Sequence, residues 1–166
     1  MNEKVMVYIS AIIALSMIAV VIPASAQVIQ MADSFGVNDA MGNPNTYVEV
    51  PVNITNVKNG PIATIKFDIT YDDSVLSVVG VQKGDLISEW QILAYNNIEA
   101  GHTRVSAAYG TVGAPLIQNG STGTVVLLNF SVKGVPGASS MMNITNIQFA
   151  NARYEWGTAP AKNGTF

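Results

Sequence analysis

The sequence lacks cysteine altogether and is poor in charge, and it has a single histidine among 166 residues. Without cysteine there are no disulfides, no thiol nucleophiles and no cysteine-based metal centres. Charged residues make up 11% of the chain, against roughly 25% in typical domains. No cluster of Lys and Arg forms a basic patch, which argues against nucleic acid as a partner. The surface must therefore be covered mainly by Thr, Ser, Asn and Gly.

The residues that carry most enzyme chemistry are also scarce or badly placed. His102 is predicted in a loop, and no serine lies in a nucleophile-elbow context to pair with it. Asp72 and Asp73 are adjacent in a predicted turn, and Asp85 follows at a spacing that fits no established calcium loop. We therefore predict no catalytic residue, no metal site and no cofactor on this chain.

The N-terminus predicts export. Lys4 precedes an apolar run over residues 5–21, which is followed by a small-residue box, Ala24-Ser25-Ala26. This order is typical of a secretory signal peptide, predicted here over residues 1–26, with a single domain over residues 27–166 at the cell surface or outside the cell. The alternative is a retained membrane anchor, because roughly 18 apolar residues can just span a bilayer.

The clearest structural pattern lies in residues 62–81. The first part alternates between apolar residues (Ile65, Phe67, Ile69, Tyr71) and polar residues (Thr64, Lys66, Asp68, Thr70). This period of two predicts a strand with one face in a core and the other in water. Asp72-Asp73-Ser74 predicts a corner, and the apolar, β-branched residues 75–81 predict a second, buried strand.

Similar short patterns recur along the chain and predict an all-β fold. Alternation is clear over residues 47–54, 104–109 and 124–133, with Gly, Pro and Asn between them. Pro51 lacks an amide donor, so its strand should lie at a sheet edge or carry a bulge. Residues 90–95 predict a short strand and residues 96–102 a loop. The spacing favours a sandwich of two antiparallel sheets with about eight strands.

Residues 71–87, YDDSVLSVVGVQKGDLI, resemble the cohesin signature, in which an aromatic-Asp-x-x-Val-Leu segment and an apolar strand precede Gly-Asp, here Gly84-Asp85. The resemblance implies a jelly-roll β-sandwich of about eight or nine strands that binds a dockerin-bearing protein and is not an enzyme. It also implies a last strand paired beside the first, and residues 164–166 look like the unfinished beginning of that strand. Calcium is expected on the dockerin rather than on this chain.

The resemblance further implies which residues face the partner. By position these are Thr64, Lys66, Asp68, Leu93, Tyr95, Ser106, Ala108 and Tyr109. Two of them depart from the family pattern: Lys66 stands where Asp or Asn is common, and Tyr109 where an acidic residue is common. Both departures change the charge of the expected contact, so the partner need not be a cellulosomal dockerin.

Two other functions remain open. A carbohydrate-binding module of the same architecture needs exposed coplanar aromatic rings, and Tyr154 and Trp156 would share a face if their segment is extended. A purely structural surface module is the third possibility. Asn-x-Ser/Thr sequons, which are candidate glycosylation sites, occur at Asn53, Asn119, Asn129, Asn143 and Asn163.

Overall fold

The computed structural model describes residues 28–110, residue 113 and residues 115–166. The predicted signal peptide, residues 1–26, lies outside the described residues.

The described chain is built almost entirely of strands, which confirms the all-β prediction. Eight strands have six or more residues, and a 3-10 turn over Asp85–Ile87 is the helical element in the described part. The strands are β1 (Ile29–Gln30), β2 (Ala32–Val37), β3 (Tyr47–Val57), β4 (Ile62–Thr70), β5 (Leu76–Lys83), β6 (Ile92–Glu99), β7 (His102–Ala108), β8 (Gly123–Val132), β9 (Met141–Asn151), β10 (Trp156–Thr158), β11 (Ala161–Lys162) and β12 (Gly164–Thr165).

Two sheets form a sandwich. The seven-stranded sheet has the order β1-β10-β9-β4-β7-β6, with β12 also paired to β9, and the five-stranded sheet has the order β11-β2-β3-β8-β5. Both sheets are mixed rather than purely antiparallel as predicted, because β1 pairs with β10 and β2 with β11 in parallel. The reason is that residues 156–162 return along the first strands in the same direction.

This return also bears on the strand expected at the end of the chain. The resemblance assigned the pairing beside the first strand to residues beyond Phe166. In the structure, β10 makes that pairing in one sheet and β11 makes it in the other. Residues within the chain thus pair in parallel beside β1 in one sheet and beside β2 in the other.

Aromatic rings from both sheets meet in one core. Phe35 of the five-stranded sheet packs edge-to-face against Phe67 and Phe149 of the seven-stranded sheet, with ring centroids 5.1 and 5.3 Å apart. All three side chains are fully buried. Such pairs contribute about 0.5–1.5 kcal/mol each beyond the apolar area they bury, so Phe35 is a main contact between the two layers.

Strand β4 and the corner after it follow the prediction. Ile65, Phe67 and Ile69 are buried, and β4 lies centrally between β7 and β9. At the corner, the Asp72 carboxylate accepts hydrogen bonds from the backbone N–H and the hydroxyl of Ser74 at 2.9 and 2.6 Å. The short polar side chain thus replaces a strand partner for the turning backbone.

Pro51 does not mark a sheet edge. Its strand, β3, is paired on both sides, with β2 and β8. The alternative expectation, a bulge in β3, does not hold either. The β3–β8 register shifts between Val52 and Asn53, but the extra residue is Val125 of β8, and Pro51 pairs in register with Leu127.

The loop predicted over residues 96–102 is wrong. Strand β6 continues to Glu99, and the chain turns at Ala100 and Gly101 before His102 begins β7. Gly101 has φ +75°, and a β-carbon there would lie 2.4 Å from the Tyr71 carbonyl oxygen. Only glycine fits this turn, which lets both strands extend further than the asparagines suggested.

A ring of hydrogen bonds ties the two sheets together at Tyr71. The Tyr71 hydroxyl accepts from the backbone N–H of Val78 at 3.2 Å and lies 2.9 Å from the Thr103 hydroxyl. Thr103 donates to the Asn97 side-chain oxygen at 2.7 Å, and the Asn97 amide donates to the Val78 carbonyl at 3.3 Å. The ring joins β5 of one sheet to β6 and β7 of the other.

Replacing Tyr71 with Phe opens this ring and should destabilise the domain. The buried N–H of Val78 would lose its acceptor, which costs about 1–3 kcal/mol. Equilibrium unfolding in urea measures the change. Tyr95→Phe is the control, because its hydroxyl donates to the Val79 carbonyl from a side chain that is 43% exposed, where water can take its place. Equal losses for the two variants would contradict the role of the ring.

Candidate partner-binding face

The outer face of the seven-stranded sheet is defined by strand register. Residues directly opposite each other in antiparallel strands share a face. Because Ile65, Phe67 and Ile69 of β4 point into the core, the residues between them and their cross-strand partners point outward. From one end of the face to the other the rows are Trp156-Ala150-Thr64-Ala108-Ile92, Gln148-Lys66-Ser106-Ala94, Thr145-Asp68-Arg104-Asn96 and Asn143-Thr70-His102-Glu99.

Four of the residues expected to face a partner lie together on this outer face. Thr64 is directly opposite Ala108, and Lys66 is directly opposite Ser106. All four are partly exposed. They form two neighbouring rows in the middle of the sheet, where β4 and β7 meet.

Leu93 and Tyr95 do not belong to this face, so their predicted position is wrong. Leu93 pairs with Ala107 and Tyr95 with Val105, which are both buried on the inner side. Tyr95 reaches toward the other sheet, since its hydroxyl donates to the Val79 carbonyl. The β6 residues on the outer face are instead Ile92, Ala94 and Asn96.

Tyr109 lies just beyond the paired part of the face. It follows the last residue of β7, its backbone N–H donates to the Ala63 carbonyl at 3.1 Å, and its side chain is 39% exposed. It therefore borders the first row rather than belonging to a row.

Asp68 is on the outer face but is completely buried there. Its two carboxylate oxygens accept from Arg104 Nε at 2.7 Å and Nη2 at 2.9 Å. Asn146 Nδ2 donates to it at 2.7 Å, and His102 Nε2 lies 3.3 Å away. Asp68 thus cannot contact a partner directly as predicted. Its role is to hold Arg104, whose side chain is partly exposed.

The bonds around Asp68 also shift its ionisation. The Arg104 hydrogen bonds lower the pKa of the Asp68 carboxyl well below its usual value, burial opposes this, and the Asn146 and His102 contacts lower it further. The same pairing raises the pKa of Arg104. The two groups are therefore a permanent ion pair at neutral pH.

A bulge in β9 brings Asn146 to the carboxylate. The β4–β9 register shifts between Lys66 and Asp68, and Asn146 has φ +50°, a conformation that asparagine tolerates better than most residues. Sequence reasoning missed Arg104, His102 and Asn146 as partners of Asp68. The strand alternation put Asp68 on the outer face, but only the register shows which side chains cover it.

Lys66 is the exposed cation in the middle of the face. Among the described residues, no carboxylate oxygen lies within 4.0 Å of its amino group. The charge of Arg104 is neutralised by Asp68. In the fourth row, Glu99 Oε1 lies 3.7 Å from His102 Nδ1. The accessible centre of the face is therefore positive.

Trp156 joins the face in a way that the sequence did not predict. It pairs with Ala150 through β10 and is 63% exposed. Tyr154 is 87% exposed but has φ +64° in the turn before β10, so the segment is not extended. The expectation that Tyr154 and Trp156 share a face by simple alternation therefore does not apply.

The five sequon asparagines are spread over the surface, and their glycosylation stays a prediction. Asn143 lies on the outer face, whereas Asn53 and Asn129 lie on strands of the five-stranded sheet. Three side-chain oxygens already accept hydrogen bonds: that of Asn53 from the Thr124 hydroxyl, that of Asn119 from the Gly60 N–H and that of Asn163 from the Ile144 N–H.

The described residues contain neither a metal-binding cluster nor a helix that could span a membrane. No group of three or more His, Asp or Glu side chains is arranged to hold a metal ion there. In the same part of the chain, no helix has the length and hydrophobicity that a membrane span requires.

Comparison with known proteins identifies relatives. The cohesin domain family model matches residues 34–158. Cellulose-binding protein A of Clostridium cellulovorans is 26% identical over 108 residues, which is 65% of this chain. The chain spans only 6% of the length of that relative.

Solved structures share the fold. The sixth cohesin of scaffoldin B from Acetivibrio cellulolyticus, in complex with a mutant Cel5 dockerin, superposes with a TM-score of 0.70 and 22% identity, covering 82% of this chain and 97% of that one. A non-cellulosomal cohesin from the archaeon Archaeoglobus fulgidus gives 0.65 and 20%, covering 83% and 90%. A type I cohesin–dockerin complex from Clostridium thermocellum gives 0.66 and 21%, covering 82% and 97%.

The buried carboxylate predicts a specific pH dependence. In the unfolded chain Asp68 titrates at about pH 3.9, while in the folded chain its pKa is lower. Its contribution to stability is thus complete above about pH 4 and is lost as the pH falls further. Asp68→Asn should cost about 1–3 kcal/mol at neutral pH by leaving donors unsatisfied, and this difference should shrink in acid.

Urea unfolding from neutral pH down to about pH 2.5 measures this effect, since Asp68 of the unfolded chain takes up its proton within that range while Asp68 of the folded chain stays ionised. Asp85→Asn is the matched control, because Asp85 is exposed and forms no ion pair among the described residues. A difference between wild type and Asp68→Asn that stays constant over the whole range would show that the ion pair is not the source of the effect.

Proposed function

Because the chain belongs to the cohesin family, we propose that it is a secreted, non-catalytic recognition module that binds a dockerin-type partner through the outer face of the seven-stranded sheet. The observation that carries the proposal is this face itself, a run of paired strands with partly exposed neutral side chains around Lys66, a cation that forms no ion pair with the described residues. Similar folds have been solved in complex with dockerins. Secretion is supported by the signal-peptide pattern of residues 1–26.

From the sizes of its side chains, we infer that the first row of the face forms a shallow trough. Its floor consists of the short side chains of Ala150, Thr64 and Ala108, and its two ends carry the large exposed side chains of Trp156 and Ile92. Four strand spacings separate the two ends, about 19 Å at about 4.8 Å per spacing. An α-helix is about 10–12 Å across, so one partner helix fits between these ends.

The composition of the trough favours a partner with apolar residues at the contact. Interfaces concentrate their binding energy in central, well-packed apolar and aromatic groups. Trp156 and Ile92 are 63% and 52% exposed and would lose this exposure against a helix. The trough thus provides burial on both flanks of a partner helix.

Lys66 gives the contact its charge preference. It lies one row from the trough floor, and in the described part of the chain no carboxylate oxygen lies within 4.0 Å of its amino group. A partner that brings a carboxylate or the C-terminal end of a helix to this position gains an ion pair, while one that brings a cation is repelled. We therefore propose a partner with an acidic group beside an apolar helix surface.

Reversing the charge of Lys66 should weaken binding. Immobilised residues 27–166 would be incubated with secreted proteins of the source organism, in calcium and then in a chelator, because dockerins fold around calcium. A partner should be retained only with calcium. Lys66→Glu should reduce its affinity by about tenfold or more, which corresponds to about 1.4 kcal/mol.

Lys83→Glu is the control, because it makes the same charge change on the five-stranded sheet. Equal weakening by both substitutions would point to net charge rather than to the outer face. Retention of a polysaccharide instead of a protein, with loss of that retention in Trp156→Ala, would replace this function with sugar binding.

Filling the trough floor gives an independent test. Ala108→Arg puts a long side chain where a partner helix would rest, so binding should fall at least tenfold, while the unfolding midpoint in urea should barely change because the site is partly exposed. Ser131→Arg on the five-stranded sheet is the matched control. Unchanged partner affinity in Ala108→Arg would place the contact elsewhere.

A further inference from the structure

The edges of the two sheets differ in how well they are protected from other strands. An unprotected edge exposes backbone donors and acceptors to any passing strand. β1, β11 and β12 have two residues each. β5 has eight residues, but its register shifts between Val78 and Gly80 and it ends in Lys83, both of which discourage pairing. β6 is the other long edge strand, and its register shift and its single charge come only at its end.

The sequence of β6 favours pairing. Over Ile92–Glu99 it has no proline, no glycine and no lysine, and its single charge is at its last residue. Its pairing with β7 is regular from Ile92 to Asn97, and the register shifts only after that. Six consecutive residues thus present a straight edge with no charge.

Exposed apolar side chains are concentrated at this edge. Ile92, Tyr95 and Ile98 of β6 are each more than 40% exposed, and so is Val79 of the neighbouring strand β5. The Tyr95 hydroxyl bonds to the Val79 carbonyl, so the two edges are adjacent. This flank of the sandwich therefore combines an open backbone edge with four exposed apolar side chains, a combination that favours an interaction site.

We propose that two copies of the chain associate through β6, which pair antiparallel about a two-fold axis and join their seven-stranded sheets into one. A second copy fits because a two-fold axis presents the same surface from both sides. With the axis at Tyr95, Ala94 of one copy lies opposite Asn96 of the other, and Ile92 and Ile98 lie at the two ends of the shared ladder. Glu99 lies beyond this ladder, so the charges of the two copies do not meet.

The dimer leaves the outer face open for its partner. Pairing uses the free backbone edge of β6, whereas the trough lies across the outer side of the sheet between Trp156 and Ile92. A helical partner has no free backbone groups along its length to satisfy this edge, so the edge and the trough take different occupants. The contact is a strip about 20 Å long, six residues at about 3.3 Å each, which predicts weak, concentration-dependent association.

The test is the mass of residues 27–166 in solution, without any partner protein. Sedimentation velocity over a series of concentrations should show wild type rising toward twice the monomer mass. Ile92→Lys combined with Ile98→Lys should remain a monomer, because each copy brings two cations to the shared ladder. The control combines Met41→Lys with Val135→Lys, which adds the same charge at exposed apolar residues outside β6 and should behave as wild type.

Amide hydrogen exchange identifies the strand involved. Protection of the β6 amides should increase with protein concentration in wild type and in the control, and should not change in the Ile92/Ile98 variant. The proposal is overturned if wild type stays monomeric at millimolar concentration, if both double variants dissociate equally, or if the mass rises beyond two copies. None of these outcomes depends on whether the chain binds a dockerin.

Discussion

Successive side chains of a strand point to opposite faces of the sheet, so the central strand β4 can place only every second residue in the core. This constraint governs both the sandwich and its outer surface. Burying Ile65, Phe67 and Ile69 in the core forces Thr64, Lys66, Asp68 and Thr70 outward. The neighbouring strands inherit the same division through their register. The candidate face is therefore the outward side of the same strands whose inward side packs in the core. No residue on β4 can move from one side to the other without shifting the whole strand.

Asp68 points to the outer face, but its ion pair with Arg104 gives it a structural role in aligning the strands. A buried ion pair adds little net stability, because the desolvation cost offsets much of the attraction, but a wrong alignment that leaves the carboxylate unpaired is expensive. Arg104 from β7 and Asn146 from β9 meet Asp68 only in the observed register. Together these contacts fix β4, β7 and β9 relative to one another. Because Asp68 neutralises Arg104, Lys66 is the exposed cation in the middle of the face.

What the sequence could predict follows from how local each signal is. The alternation of β4 and the corner at Asp72 depend on residues within a few positions of one another, and both were predictable. The outward side of β6 was not, because its residues are exposed on both sides and carry no alternating pattern. An error of one residue then moves Leu93 and Tyr95 to the opposite face. The bulge that brings Asn146 to Asp68, and the return that puts Trp156 beside Ala150, depend on pairings across the chain that a single sequence does not reveal.

The trough combines parts with different freedom to change. Its floor residues, Thr64 and Ala108, alternate with buried residues on the two central strands, so their positions are fixed by the core. Its ends lie on strands with fewer structural constraints, because β10 has only three residues and β6 is paired on one side only. Substitutions at Trp156 or Ile92 change the width and chemistry of the contact without disturbing Phe35 or its neighbours. In the proposed complex the central strands would preserve the geometry of the face, while the two flanks would determine which partner helix it accepts.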